Sequence, residues 1–326
     1  MPDTLQEQLV KHLTDVHSIE EQALLQMSVA PRMARDPELA RAFREHIAET
    51  AEQERLVSGR LGAHAADPSK VKDLVARAGG VGMVLFARSQ PDTPGKLVAH
   101  AYSYEHMELA AYELLAIVAR RAGDAETADV AGSIREQEAA MGERLAAGFD
   151  RAVEASLRDV PTDDLGEQLG RYLSDAHAIE SQALQLLEQG QAIAGEPNLK
   201  KVLEDHLVET RSQQAAVEAR LAARDEGPSR VKDIVMRIGG LNFGAFFRGQ
   251  PDSPAKLAGF AFAFEHLEAA AYEQLMRVAQ RAGDEETARV AERIAREERA
   301  AAAALRAQFE PAMEAALRKQ GVGAAG

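Results

Sequence analysis

The sequence predicts an all-α protein built from two copies of one helical domain. Three observations support this prediction. The chain is rich in Ala, Leu, Glu and Arg and has only 5% aromatic residues, apolar residues recur at spacings of three and four, and the whole pattern repeats at an offset of 160 residues. With 326 residues and about 150 residues per domain, the length also fits two domains.

The repeat is a whole domain copied once. The segment LTDVHSIEEQAL at 13–24 returns as LSDAHAIESQAL at 173–184, and YEHMELAAYE at 104–113 returns as FEHLEAAAYE at 264–273. A period this long exceeds that of solenoid repeats, which is about 20–50 residues. We therefore predict two domains, joined by a short linker rich in Pro and Asp, with the bounds 1–160 and 161–326.

Each copy is predicted to contain four helices, called here helices A to D. In the first copy they cover about 3–29, 37–62, 94–121 and 125–157. Asp36 with Pro37 marks a helix start, and the AGD sequence at 122–124 marks a sharp turn between helices C and D. The short A–B and C–D turns, with a long B–C crossover, predict a ferritin-like four-helix bundle in each copy. The GGVG and GGLN sequences of the crossovers, at 79–82 and 239–242, are predicted to stop a helix and turn.

Composition and charge exclude several classes of function. The net charge of −14 disfavours a nucleic-acid or anionic lipid partner and suits the binding of cations. Cysteine is absent, so thiolate metal sites and cysteine nucleophiles are excluded, and any metal must be held by Asp, Glu, His or backbone oxygen. The N-terminus lacks the apolar segment of a secretory signal, and the longest apolar stretches are too short to span a bilayer. We expect a cytoplasmic protein without a membrane partner.

Polar residues that are the same in both copies cluster near the middle of each predicted helix. Residues three apart share a helix face, so Glu105 faces with Glu108, and His46 with Glu49. Carboxylates close to an apolar stripe are costly to bury unless they are paired or bind metal. One Glu from each helix, with His nearby, is the ligand set of di-iron and di-manganese bundles. The usual set has Glu-x-x-His on two helices, whereas helix B has the reverse order here and helix D has no His.

The combined polar pattern resembles a known family. L-x-D-x-x-x-x-E-x-Q in helix A, H-x-x-E-T-x-x-Q in helix B and E-H-x-E-x-x-x-Y in helix C are similar to the YciE/YciF-type ferritin-like stress proteins of bacteria, over roughly 5–157 and 165–317. The resemblance implies four-helix bundles that pair as dimers, a link to stress responses, and carboxylate ligands on all four helices. The implied ligands are Glu20, Glu49, Glu105, Glu108 and Glu138, with their copies Glu180, Glu209, Glu265, Glu268 and Glu298.

Some of these assignments rest on further comparison within the chain. Glu138 is chosen in helix D because its neighbour Glu136 becomes Arg296 in the second copy. His46 and His206 join the predicted ligand set, either binding metal themselves or contacting a ligand. His17 and His106 are left open as ligands, and plain packing is favoured for His106.

Three further residues are expected to support the ligands. Thr50 and Gln53 are expected to form hydrogen bonds with them. Tyr112 is expected to be a core residue whose hydroxyl contacts a carboxylate.

The sequence therefore predicts a pseudo-dimer of two bundles within one chain, each with a dinuclear iron centre or, alternatively, manganese. The expected chemistry is oxidation of Fe(II) by O2 or H2O2, or removal of peroxide, with no catalytic residue assigned. Two alternatives stay open because bundle and ligands do not select a reaction: a non-catalytic stress protein that binds a partner, and a metal store without turnover. Further oligomerisation also stays open.

Overall fold

The protein is described here by a computed structural model that covers residues 4–66, 93–227 and 253–322. Within these ranges every regular element is a helix, which confirms the all-α class. The described residues form two compact units, one of residues 4–157 with 317–322 and one of residues 158–316. The predicted crossovers, with GGVG and GGLN, lie outside the described residues.

The first copy contains four long helices around one core. Its helices are α1 (Leu5–Met27), α2 (Ala30–Met33), α3 (Pro37–Ala63), α4 (Thr93–Arg121), α5 (Ala125–Ala147) and α6 (Phe149–Leu157). Helix α1 packs against α3 and α4, and α5 packs against the same two helices. Side chains with almost no solvent exposure fill the space between them, among them Leu13, Phe43, Leu115 and Ile134.

The second copy repeats this arrangement with one difference. After a 3-10 turn (Thr162–Asp164) come α7 (Leu165–Ile193), α8 (Pro197–Ala222), α9 (Ser253–Arg281), α10 (Glu285–Arg306) and α11 (Phe309–Lys319). The single helix α7 corresponds to α1 and α2 together. Pro31, which lacks a backbone N–H and crowds the preceding turn, replaces a continuous helix by a break, whereas its counterpart Gln191 allows the helix to continue.

The helix starts and the C–D turn follow from local chemistry. The Asp36 carboxylate accepts hydrogen bonds from the backbone N–H groups of Glu38 and Leu39 at the start of α3. The Asp124 carboxylate accepts one from the backbone N–H of Thr127 at the start of α5. Gly123 before it has a φ of +74°, a left-handed conformation that glycine adopts without strain. These contacts set the angle between α4 and α5, which carry three of the site residues.

Helix D, predicted to run through 125–157, is divided at Gly148 into α5 and α6. The break recurs between α10 and α11, where glutamine replaces the glycine, so glycine is not its cause. In both copies the residue after the break is a buried Phe with an edge-to-face ring contact at 5.4 Å, made by Phe149 to Tyr102 and by Phe309 to its counterpart. Tertiary packing of this ring, which local helix signals do not show, accounts for the turn.

Two glycine substitutions test the role of the turn between α4 and α5. Gly123→Ala forces a left-handed conformation on alanine and is expected to lower the free energy of unfolding by about 1 kcal/mol. Gly59→Ala, inside α3 with open space around the new methyl group, is expected to raise it by up to about 1 kcal/mol. Urea unfolding followed by far-UV circular dichroism measures both, and a neutral or stabilising Gly123→Ala would contradict the assignment.

Candidate metal centre

Each unit contains a buried group of one histidine and three glutamates. The first is formed by His46, Glu105, Glu108 and Glu138, and the second by His206, Glu265, Glu268 and Glu298. No member is more than 4% exposed, and one ligand atom from each lies within 4.8 Å of the others. Divalent ions hold such oxygen and nitrogen atoms at about 2.0–2.2 Å, so atoms across one ion are about 4.2 Å apart. The two groups could therefore hold metal ions.

Helical spacing explains which side chains reach the interior. The buried face of α3 runs through Phe43, His46, Thr50, Gln53 and Val57, in steps of three and four. In α4, Glu105, Glu108 and Tyr112 follow the same rule and are all buried. The site residues thus occupy positions of the apolar stripe that ordinarily hold core hydrophobes.

His46 connects the buried carboxylates to a carboxylate near the surface. Its Nε2 lies 2.9 Å from an oxygen of Glu105 and 3.5 Å from one of Glu138. Its Nδ1 lies 3.0 Å from Glu49, which is 37% exposed and accepts a hydrogen bond of 2.9 Å from Arg144. A carboxylate on the outer nitrogen fixes the orientation of the ring and presents Nε2 to the interior.

The second copy has the same arrangement around His206. Its Nε2 lies 2.7 Å from Glu265 and 3.3 Å from Glu298, and its Nδ1 lies 3.2 Å from Glu209. The counterpart of Arg144 is Ala304, so this outer carboxylate lacks the arginine found in the first copy. The geometry inside the two groups is thus shared, while the surroundings differ.

Glu20 of α1 lies beside the first group and is fully buried. The Tyr112 hydroxyl donates a hydrogen bond to one of its oxygens, as Tyr272 does to Glu180 in the second copy. The Gln53 side-chain amide donates to Glu138. These contacts satisfy one oxygen of each carboxylate and leave the other available.

Glu108 has no such support. Both of its carboxylate oxygens are buried and lack a hydrogen-bond partner among the residues that the structure describes, and the same holds for Glu268. Leaving a buried carboxylate without a partner is costly, so an orphaned one indicates an unplaced proton, water or cation. With Glu20, Glu105 and Glu138, it makes four carboxylates, whose combined charge two divalent cations would balance. The residues present therefore fit a dinuclear metal site.

Burial and mutual repulsion make these carboxylates retain protons when metal is absent. Burial raises the pKa of Glu20 to about 8. Burial, and then the neighbouring carboxylate of Glu138, raise the pKa of Glu108 well above its usual range. Burial alone would lower the pKa of His46, but the negative charge and hydrogen bond of Glu105 raise it. A bound cation would replace protons in such a group.

The structure does not bring Glu49 and Glu209, both predicted ligands, into the buried groups. A spacing of three residues on a helix leaves an angle of about 60° between side chains, which here separates the buried His46 from the half-exposed Glu49. The equivalent Glu209 is 42% exposed and lies on the outer nitrogen of its histidine. Both are near enough to orient the histidine, and direct metal binding by them stays a prediction.

The structure also shows the contacts of the two histidines whose role as ligands the sequence leaves open. His17 contacts Glu54 at 3.1 Å, and His106 bonds to the backbone carbonyl of Tyr102 at 2.7 Å, so neither histidine belongs to the buried group. Thr50 donates to the backbone carbonyl of His46, one turn earlier in its own helix, and not to the side chain of a ligand, which corrects the expectation for it.

Two of the residues expected to support the ligands make the expected contacts, and one further contact near the site could not be predicted from the sequence. Gln53 and Tyr112 each donate to a buried carboxylate, as the sequence suggested. The contact of Arg144 with Glu49 depends on the packing of α5 against α3, and no sequence spacing signals it.

Comparison with known families gives two tandem matches. Residues 4–158 and 164–318 each match the sequence model of the family described as Domain of unknown function (DUF892), which is the YciF-like ferritin-like family. The chain belongs to this family. The duplicated DUF892 domain confirms the family resemblance seen in both copies of the sequence.

Two negative findings accompany this result. No solved structure matches the chain. In the ranges that the structure covers, no helix combines the length and the apolar character that crossing a membrane requires.

Because the buried carboxylates retain protons, the free energy of unfolding of the metal-free protein should depend on pH. Glu20 and Glu180 have folded pKa values of about 8 against an ordinary value of 4.5, so between these values the folded state holds protons that the unfolded state has released. The free energy of unfolding should therefore fall as pH rises through this window, by up to about 1.4 kcal/mol per pH unit for each proton. The raised pKa values of His46 and His206 act in the same direction above about 6.5.

Urea unfolding of chelator-treated protein across this pH range measures the slope. Glu20→Gln with Glu180→Gln should flatten it, whereas Glu136→Gln, on the exposed face of α5, should leave it unchanged. Stability that increases with pH through the window would contradict the proton-retaining state.

Proposed function

We propose that each copy holds a dinuclear iron or manganese centre and that the protein acts as an oxidoreductase, oxidising Fe(II) with O2 or H2O2 or consuming peroxide. The observation that supports this most directly is the orphaned carboxylate of Glu108, buried among Glu105, Glu138 and His46. A carboxylate buried beside other carboxylates is stabilised by a bound cation and destabilised by an unpaired charge.

The donor atoms favour iron or manganese. Each copy offers carboxylate oxygens and one imidazole nitrogen, and no thiolate is present in the chain. Oxygen-rich sets with few imidazoles suit iron or manganese better than copper or zinc, and carboxylate bundles of this kind hold two ions. The four carboxylates, with Glu20 included, balance two divalent ions in charge.

The chain's own residues would position and balance such a centre. His46 would bind through Nε2, with its ring held by Glu49 and Arg144. Glu108 has both oxygens free of protein hydrogen bonds in the described residues, so both would be available to bind metal. As Fe(II), the two ions would supply one electron each to one O2, which takes up two protons and leaves as H2O2.

Metal analysis after loading in the absence of oxygen tests the centre. We expect about two ions per copy in the unaltered chain. Glu108→Gln with Glu268→Gln should remove most of them, because these are the carboxylates of the described groups in which both oxygens lack a protein partner. Glu136→Gln, on the solvent side of α5, serves as the matched control and should bind metal normally. Absence of metal under every loading condition would leave the non-catalytic alternative.

Oxygen consumption separates turnover from storage. Adding O2 to the Fe(II)-loaded protein should consume about one O2 for two Fe(II). Metal that stays bound while no oxidant is consumed would instead favour a store without turnover.

The carboxylate of Glu49, which lies outside the buried group, leads to a separate prediction. Glu49→Gln keeps the size of the side chain but removes the negative charge that faces Nδ1 of His46, so metal affinity in the first copy should fall by about 10- to 100-fold without a loss of capacity. Competition with a coloured chelator measures the affinity and the number of sites separately. Loss of all metal from the first copy would place Glu49 among the direct ligands.

A further inference from the structure

A small cavity borders the buried group of the first copy. Its volume is about 50 Å³, and Glu105 forms part of its wall. Most of the remaining wall is aliphatic or aromatic, contributed by α1, α2, α3 and α4, including Met27, Met33, Phe43 and Leu97. Because one water molecule needs about 10–15 Å³ of such volume, the cavity takes only a few small molecules or one molecule of a few atoms.

Four polar side chains lie on the wall, those of Gln26, His100, Tyr104 and Glu105. The Tyr104 hydroxyl donates a hydrogen bond of 3.0 Å to the backbone carbonyl of Ile19. Desolvation, with a contribution from Lys96, lowers the pKa of His100 to about 4, so this ring carries no charge near neutral pH. A cavity whose wall is mostly apolar suits an apolar guest better than water or a polar solute.

The second copy has a different set of side chains at these positions. Phe260 and Phe264 replace His100 and Tyr104, and their rings stack with centroids 6.5 Å apart. Gly190 replaces Ala30, and a methyl group placed there would approach Leu203 at 3.3 Å and Leu257 at 3.4 Å. Leu203 and Leu257 thus lie close against Gly190, and a methyl group there would require a small shift of Leu203.

We propose that this cavity admits dioxygen to the candidate metal centre of the first copy, and that the different side chains at Phe260, Phe264 and Gly190 change this access in the second. The inference rests on the proposed oxidation of Fe(II), and it assigns O2, the apolar one of the two candidate oxidants, to this entrance. A polar oxidant such as H2O2 would find few hydrogen-bond partners on a wall that is mostly apolar.

Xenon, an apolar probe, tests the cavity without metal. Metal-free protein crystallised under xenon pressure should show xenon against Met27 and Leu97 in the first copy. Ala101→Leu, which extends a wall residue into the cavity, should abolish this binding with little loss of stability. The same change at the matched Ala261, which is fully buried, should lower stability by overpacking while xenon binding in the first copy remains. Ordered water or an empty cavity in the unaltered protein would overturn the proposal.

Stopped-flow oxidation of the Fe(II)-loaded chain by O2 tests the access itself. The unaltered protein should oxidise its iron in two phases of similar size, and Ala101→Leu should slow the faster phase by about tenfold or more at unchanged iron content. Ala101→Val, a smaller change, should slow it less and guards against misfolding of the larger variant. Xenon binding with unaltered oxidation rates would overturn the access role. Failure to bind iron would defeat the proposed function and the oxidant role together, while the xenon result would still report on the cavity.

Discussion

The cost of burying carboxylates governs the centre of each unit. Glu20, Glu105, Glu108 and Glu138 occupy core positions, where each must be protonated, paired or bound to a cation. The single nearby histidine can balance only one negative charge. Folding of the metal-free chain therefore depends on protons held at raised pKa, and any cation that binds the folded state alone adds its binding free energy to stability. Stability and any metal binding would thus be linked through the same side chains.

The buried carboxylates differ in how many hydrogen bonds they receive, and this difference supports a centre that is completed by a ligand. Tyr112 and Gln53 satisfy one oxygen each on Glu20 and Glu138, whereas Glu108 receives nothing from the described residues. A purely structural polar core would be expected to satisfy all of its members, because a partly satisfied network is worse than an apolar one. The unequal distribution of hydrogen bonds is what a centre completed by a ligand requires.

Most of this site could be predicted from the sequence, because the helical spacing of its residues and the internal duplication point to the same positions. The pair Glu105 and Glu108 could be read directly, since a spacing of three on an apolar stripe recurs at an offset of 160. Glu49 shows the limit of that rule: its spacing from His46 is also three, yet the buried stripe of α3 passes on its other side, through Thr50. The break at Gly148 could not be predicted from the sequence for a related reason. It depends on where the ring of Phe149 packs and not on a local sequence signal that ends a helix.

The two copies differ just outside their buried groups, and this has a chemical consequence. The ligand types are the same, but Arg144 is replaced by Ala304 and Tyr104 by Phe264. Groups around a metal centre set the orientation of its ligands and the access of solvent and small molecules, without choosing the metal. A chain with two centres can change these properties in one copy while the other keeps its own. Retention of the buried groups with divergence around them would therefore allow two such centres to bind the same metal and to react with an oxidant at different rates.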